Sequence, residues 1–196
     1  MGGNSSNPIA DLTLAKREFN YMQSLVKQKK FSLARILSNT QRYVDDLITL
    51  NYLYFHKLIS TIYPPSLEMV RSGNDDKNVN YLDLNVLIQQ EGISISVYNK
   101  TDDFNFDVVS LTFPHSNIPI EIGYNVFYGQ ILRYGNICSD LDSFTFHLTK
   151  IFKTMVSRHY DRDYLVRMIR KCFRKYNSVF CKFGILDDST IISKLS

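Results

Sequence analysis

Apolar side chains recur at helical spacing near the start of the chain. One helix face would carry Ile9, Leu12, Phe19, Met22, Leu25 and Val26. Asn7 followed by Pro8 is a good helix start, because Asn can cap the first turn and proline lacks only an N–H that would be unbonded there. The lysine-rich stretch 27–30 suits a helix C-terminus. The pattern predicts a helix from about Pro8 to Lys30.

A strand pattern follows the helix pattern. In QRYVDDLITL, Gln41 to Leu50, β-branched and aromatic residues flank two acids. This composition predicts a tight hairpin with Asp45 and Asp46 at its tip. The segment from Tyr52 to Ile62 predicts a short helix that must stop before the prolines at 64 and 65.

The second half of the chain changes from strand to helix character. VNYLDLNVLI and ISISVYNK predict a second hairpin from about Val79 to Lys100, on either side of Glu91-Gly92. After Pro119, three amphipathic helices are predicted: Tyr124–Tyr134, Asp142–Arg158 and Asp161–Tyr176. The sequence therefore predicts the α+β class, mixed over residues 1–115 and all-helical over residues 116–196.

Composition narrows the class of protein. The 196 residues are 44% hydrophobic, enough for a packed core. Cys138, Cys172 and Cys181 are odd in number and form no CxxC pair, which disfavours a disulfide framework or a zinc site. We find no long apolar run or signal peptide pattern, and expect a soluble intracellular protein, nuclear or cytoplasmic, without a membrane partner.

Positive charge is concentrated in one block. The chain has a net charge of +4, but residues 150–182 hold ten Lys or Arg against Asp161 and Asp163, a local charge of +8. Such a block suits a polyanion, with nucleic acid the first candidate, although a solvated helix face would look similar. His56, His115, His147 and His159 have no ligand spacing, and no hydrolase triad or phosphate-binding loop is present, so hydrolase and ATPase functions are disfavoured.

Asp45 and Asp46 are the residues that could carry chemistry. Carboxylates at a hairpin tip can bind Mg²⁺, which prefers carboxylate oxygens together with phosphates and water. Taken alone, an Asp-Asp pair is most often an ordinary solvated turn. The surrounding residues make the pattern more specific, since Arg42-Tyr43-Val44 precede the pair and Leu-Ile follow it.

This stretch resembles the Tyr-x-Asp-Asp metal-binding motif of reverse transcriptases. MGGNSSNPIADLTL, residues 1–14, is similar to the segment before the catalytic hairpin in Penelope-like and related retroelement polymerases. Downstream, IYPPSLEM, YLDLNV, VYNKTDDFNFDVV, NIP and QILRYGNICSD follow in that family's order. The resemblance covers nearly all of residues 1–176.

The resemblance implies a partial polymerase palm at 1–115 and a helical, thumb-like, nucleic-acid-binding region at 116–196. Asp45 and Asp46 would be catalytic and would bind Mg²⁺ or Mn²⁺, with Asp45 the first choice as essential ligand. Gly2, Asn4, Arg42 and Tyr43 would border the substrate. The second hairpin, at YLDL, would correspond to the primer grip. The nucleic-acid contacts would come from Arg158, Arg162, Arg167, Arg170, Lys171, Arg174 and Lys175.

The partners implied are an RNA template and a DNA primer, or their hybrid. Reverse transcriptases also need a further catalytic Asp and fingers that precede the segment matched here. We therefore expect no primer extension by this chain alone, and either aggregation or a partner chain that supplies the missing palm. A sheet without that palm would have an uncovered edge.

Three alternatives remain open. The basic helices could form a helix-turn-helix-like nucleic-acid-binding module without catalysis. Met1-Gly2 with Ser6 fits a loose myristoylation pattern. Finally, the reading frame could be a retroelement remnant without a selected role.

Overall fold

The chain contains both helices and strands, and all the described strands precede residue 98, so the predicted α+β class is confirmed. The computed structural model describes residues 6–50, 52–71, 75, 77–106, 108, 111–184 and 189–194. Two compact units divide the chain, Met1–Gly73 and Asn74–Ser196, and each is described by itself. The palm–thumb division after residue 115 concerns function and stays a prediction.

The first unit is built on a long helix, α1 (Ser6–Lys27), followed by α2 (Phe31–Leu37). Helix α1 ends earlier than predicted because Lys29 has a positive φ of 59°, and the Lys30 amide closes the end by donating to the Leu25 carbonyl at 2.9 Å. Asn7 lies inside α1, and its predicted capping side chain is outside the described residues.

Helix α2 was not predicted from the sequence. Its Ala34 and Leu37 are buried with Leu25 of α1, and Tyr52, Phe55 and Leu58 pack on the same cluster. The segment is too short to show a helical period, so tertiary packing stabilises it more than its own sequence does. A 3-10 turn at Phe55–Lys57 and helix α3 (Ile59–Ile62) replace the single helix predicted over 52–62, and α3 does stop before Pro64.

The predicted apolar face of α1 is mostly exposed. Ile9, Leu12, Phe19 and Val26 have exposed fractions of 62%, 70%, 60% and 52%, whereas Leu25 is buried. The helix packs through its C-terminal half, where Tyr21 and Met22 join the cluster around Leu25. Periodicity alone could not distinguish the face that contacts α2 from the face that does not.

The second unit begins with an antiparallel sheet of β3 (Asn78–Tyr81), β4 (Leu84–Gln89) and β5 (Gly92–Val97), in that order. The predicted hairpin around Glu91 is confirmed. The prediction of one continuous strand over VNYLDLNVLI is wrong, because Leu82 adopts a positive φ of 53° and turns the chain between β3 and β4.

The three predicted C-terminal helices are confirmed as α4 (Ile120–Ile137), α5 (Leu141–Ser157) and α6 (Arg162–Lys175). Each of the last two starts at an aspartate cap. Asp140 accepts from the Ser143 amide at 2.8 Å, and Asp161 accepts from the Tyr164 amide at 2.6 Å. Two short helices follow, α7 (Asn177–Phe180) and α8 (Ser189–Lys194).

One core joins these helices. Its fully buried side chains include Phe127, Ile131, Phe144, Leu148, Leu165 and Ile169. The sheet attaches to this core through β5: Val97 is buried in it, and the Ser139 amide donates to the Ile95 carbonyl at 2.8 Å.

Cys138 and Cys172 are buried free thiols and Cys181 is an exposed one. Within the described residues, none of the helices is long and apolar enough to cross a membrane.

Two glycines of α4 provide a matched test of this packing. A Cβ at Gly123 would overlap the hydroxyl of Tyr160 and lie 2.6 Å from its Cζ, whereas a Cβ at Gly129 would meet nothing within 4 Å. We expect Gly123→Ala to lower the free energy of unfolding by about 1–3 kcal/mol, because buried Tyr160 cannot move aside without strain. Gly129→Ala should raise it by about 0.5–1 kcal/mol through helix propensity. Urea unfolding measures both, and an equal effect of the two substitutions would contradict this packing.

Candidate functional site

The two aspartates lie in the predicted hairpin. Strands β1 (Gln41–Tyr43) and β2 (Asp46–Ile48) pair antiparallel, with Tyr43 opposite Asp46 and Arg42 opposite Leu47. Val44 and Asp45 form the two-residue turn, and Asp46 is the first residue of β2. At the base of the hairpin, the Thr40 and Thr49 hydroxyls are 3.3 Å apart. The hairpin prediction is therefore confirmed, with Asp45 in the turn and Asp46 just after it.

Both carboxylates face solvent. Asp45 and Asp46 are exposed, and the described part of the chain offers neither of them a hydrogen bond or an ion pair. Tyr43, across the hairpin from Asp46, is 61% exposed. Since neither carboxylate is ion-paired within the described residues, both remain accessible to a cation from solution.

The turn has an unusual backbone conformation at Val44. Its φ is 55°, in the left-handed region that β-branched residues avoid. Holding such a residue costs about 1–3 kcal/mol, and it persists only where the surroundings fix it. Leu82, in the turn between β3 and β4, has a similar φ of 53°. Both turns share a Tyr-x-Asp sequence, at 43–45 and 81–83.

Arg42 connects the hairpin to α1. Its side chain is only 11% exposed, and its Nε donates to Glu18 Oε1 at 2.7 Å. Nη1 bonds the Asp11 carboxylate, and Nη2 donates to the Asp11 carbonyl at 3.3 Å. Nη1 also donates to the Val44 carbonyl at 3.2 Å. One guanidinium thus binds two acids of α1 and the strained residue of the turn.

Tyr63, at the end of α3, completes this group. Its hydroxyl donates to Glu18 Oε1 at 2.7 Å, the same oxygen that accepts from Arg42. Burial raises the pKa of Tyr63, and the hydrogen bond to negatively charged Glu18 raises it further, so the hydroxyl remains a donor. Burial lowers the pKa of Arg42, but its bonds to Glu18 and Asp11 outweigh that effect and the net shift is upward.

The carboxylate pair does not by itself make a complete metal centre. Among the described residues, no three His, Cys, Asp or Glu side chains come together in a way that could hold a metal ion. Asp45 and Asp46 have the right oxygen chemistry for Mg²⁺, but a site for two such ions needs more carboxylate or phosphate ligands than they provide. The residues present therefore do not fit a two-metal centre, and no catalytic step follows from this chain alone.

In the second unit, α6 presents a cationic surface. A shallow open depression is lined by Arg167, Arg170, Lys171, Arg174 and Lys175, all of them exposed. These five residues are spaced so that they share the helix face opposite the buried Leu165, Ile169 and Cys172. We call them the basic face of α6. It extends for about 12 Å along the helix, from the helical rise per residue.

Two predicted nucleic-acid contacts lie elsewhere. The Arg158 side chain is partly buried: it bonds the Leu111 carbonyl and lies 5.2 Å from the Phe113 ring centroid. Arg162 is exposed at the start of α6 but does not line the depression. Arg158 and Arg162 are therefore not brought together with the basic face.

Some aromatic residues in and near α6 are buried in the core, and others lie beside the cations of the basic face. Tyr160 and Phe173 are buried in the core, with exposed fractions of 3% and 8%. Tyr164 is 42% exposed, and the Arg167 guanidinium lies 5.4 Å from its ring centroid. Tyr176 is half-buried with Lys175 Nζ 5.1 Å from its ring centroid, and its hydrogen bond raises the pKa of that lysine, which stays charged. Tyr164 and Tyr176 are thus available beside the cations.

Gly2 and Asn4, predicted to border the substrate, lie outside the described residues. The structure adds Asp11, Glu18 and Tyr63 to the hairpin, and none of these was predicted as part of the site. The only sequence signal is that the two acids are seven residues apart, and so share one face of α1. Nothing in the sequence pairs that face with Arg42.

Comparison with known proteins identifies no relative: no family model matches the chain, and no curated protein or solved structure is significantly similar to it. The resemblance to reverse transcriptases therefore rests on the sequence motifs, and the hairpin and the basic face are the features that bear on it.

The strained turn can be tested directly. Val44→Gly should raise the free energy of unfolding of the first unit by about 0.5–1 kcal/mol, because relief of the positive φ exceeds the entropy cost of glycine. Leu82→Gly, at a similar positive φ, should raise the free energy of unfolding of the second unit by a similar amount. Denaturant unfolding, followed by amide exchange in each unit, measures both. A loss of stability in both variants would show that neither turn is strained.

Proposed function

We propose that this chain is the catalytic-hairpin and thumb-like part of an RNA-directed DNA polymerase, a reverse transcriptase of the Penelope-like retroelement type. The observation that carries the proposal is the Tyr43-Val44-Asp45-Asp46 hairpin, with both carboxylates exposed and unpaired within the described residues. In such an enzyme, two divalent ions would activate the primer hydroxyl and neutralise the leaving pyrophosphate.

The basic face of α6 supports a nucleic-acid partner. Five cations share one helix surface, and the described residues show no carboxylate ion-paired with Arg167, Lys171, Arg174 or Lys175. Phosphates of an RNA template and DNA primer would match this charge, with release of their bound counterions. Tyr164, exposed beside Arg167, adds an aromatic surface of the kind on which bases stack.

A helix-turn-helix-like nucleic-acid-binding protein without catalysis is the second candidate. It is favoured by the incomplete metal ligand set, since the basic face of α6 would bind nucleic acid whether or not the hairpin binds metal. Binding preference separates the two candidates. Strong selectivity for one duplex DNA sequence supports the module, whereas sequence-independent binding of an RNA–DNA hybrid supports the polymerase.

The isolated protein should not extend a primer. Because the described residues offer two carboxylates where the reaction needs more ligands, we expect no labelled product from a primed RNA template with Mg²⁺ or Mn²⁺. The assay is extension of a fluorescent primer on a denaturing gel, with an active reverse transcriptase as positive control. Extension that disappears on Asp45→Ala would show that the chain holds a complete centre.

Hybrid binding should depend on the basic face of α6. The double substitution Lys171→Gln with Arg174→Gln should weaken binding of an RNA–DNA hybrid about tenfold. The slope of log affinity against log salt concentration should also become less steep by about 2, because two phosphate contacts are lost. Fluorescence anisotropy over a salt series gives both quantities.

The matched control is Lys16→Gln with Lys27→Gln, which removes the same charge from exposed positions of α1. Its salt dependence should equal that of the unsubstituted protein. If both double variants lose affinity equally, binding depends on net charge and the basic face of α6 is not the interface.

A further inference from the structure

The Tyr43-Val44-Asp45-Asp46 turn is too small to fix its own geometry. Strands β1 and β2 have three residues each, and a two-stranded sheet of this size is marginally stable by itself. Val44 adds a positive φ, which a β-branched residue adopts only at a cost in free energy. The position of the two carboxylates therefore depends on what the hairpin is attached to.

Arg42 provides that attachment, and two other residues fix Arg42. Its guanidinium reaches past the strand to the Val44 carbonyl, 3.2 Å away. A long, charged side chain keeps a single rotamer only where acceptors bind its N–H groups. Glu18, in the middle of α1, accepts a hydrogen bond from Arg42 Nε.

Glu18 is itself oriented by Tyr63. The hydroxyl of this buried tyrosine bonds the same carboxylate oxygen that receives Arg42 Nε, and both distances are 2.7 Å. Glu18 is partly buried, with its side chain 31% exposed, so the tyrosine and the arginine together restrict it to one conformation. The result is a chain of contacts from α3 through α1 to the turn.

We propose that Glu18 and Tyr63 are positioning residues that act through Arg42 to hold the turn carrying Asp45 and Asp46. This inference rests on the proposed function for the role of Asp45 and Asp46 in metal binding. The claim that Arg42 holds the turn concerns the structure alone. Neither residue contacts the carboxylates. Their effect is to keep the Val44 carbonyl, and with it the two following residues, in the orientation that exposes both acids on adjacent positions.

The test uses Glu18→Gln and Tyr63→Phe in the full chain, since each keeps the size of the side chain and removes a charge or a hydroxyl. Both should raise amide hydrogen exchange about tenfold at Tyr43 and Asp46, which pair across the hairpin, because a hydrogen bond to a charged group is lost. Exchange at the buried Leu25 and Leu37 amides should not change. Tyr54→Phe is the control, since Tyr54 is 57% exposed and lies in the same unit.

Two outcomes overturn the inference. Unchanged exchange at Tyr43 and Asp46 in the folded Tyr63→Phe variant would show that the turn does not depend on this contact. A rise of equal size at Leu25 and Leu37 would show general destabilisation of the unit and no positioning of the turn. If Glu18→Gln fails to fold, the milder Tyr63→Phe substitution decides.

A second measurement separates this inference from the proposed function. Mn²⁺ affinity of the protein bound to an RNA–DNA hybrid, followed by electron paramagnetic resonance, should fall about tenfold in both variants while hybrid affinity stays constant. A wild-type protein that binds no Mn²⁺ would contradict the proposed function, and the exchange result would still stand. Wild-type Mn²⁺ binding that neither variant weakens would contradict the positioning role.

Discussion

The charge of Arg42, held largely out of water between two acids of α1, is the interaction on which the candidate site depends. A guanidinium that is 11% exposed needs acceptors for its N–H groups and counterions for its charge. The carboxylates of Glu18 and Asp11 provide both. Since the same guanidinium donates to the Val44 carbonyl, the ion pairs also connect the turn to α1. The positive φ of Val44 belongs to the two-residue hairpin turn itself, as the similar φ of Leu82 shows. Replacing any one partner would leave a poorly matched charge beside the hairpin.

Local features of the sequence predicted local structure well. The hairpin over 41–48 follows from strand residues around a short polar turn, and α5 and α6 follow from helical periodicity that begins after Asp140 and Asp161. The turn at Leu82 was missed because a leucine with positive φ carries no turn signature. The contacts of Glu18 with Arg42 and Tyr63 were missed because they join residues 24 and 45 positions apart.

The two candidate surfaces have opposite chemistry. The hairpin presents two carboxylates that form no ion pair within the described residues, and the basic face of α6 presents five cations along one side of a helix. Nucleic-acid phosphates would be attracted to the basic face, whereas the two carboxylates would repel phosphates unless a divalent ion were bound. In this proposal, the basic face binds the nucleic acid and the carboxylates bind the divalent ion.

The position of bound Mn²⁺ tests this account most directly. With an RNA–DNA hybrid present, paramagnetic broadening in the NMR spectrum should be strongest at the amides of residues 43–47 and should disappear on Asp45→Asn. The acids at 102 and 103, beside β5, provide an internal comparison on the second unit. Broadening that is centred on those acids, or that persists in the Asp45→Asn variant, would contradict the assignment of the hairpin as the metal site.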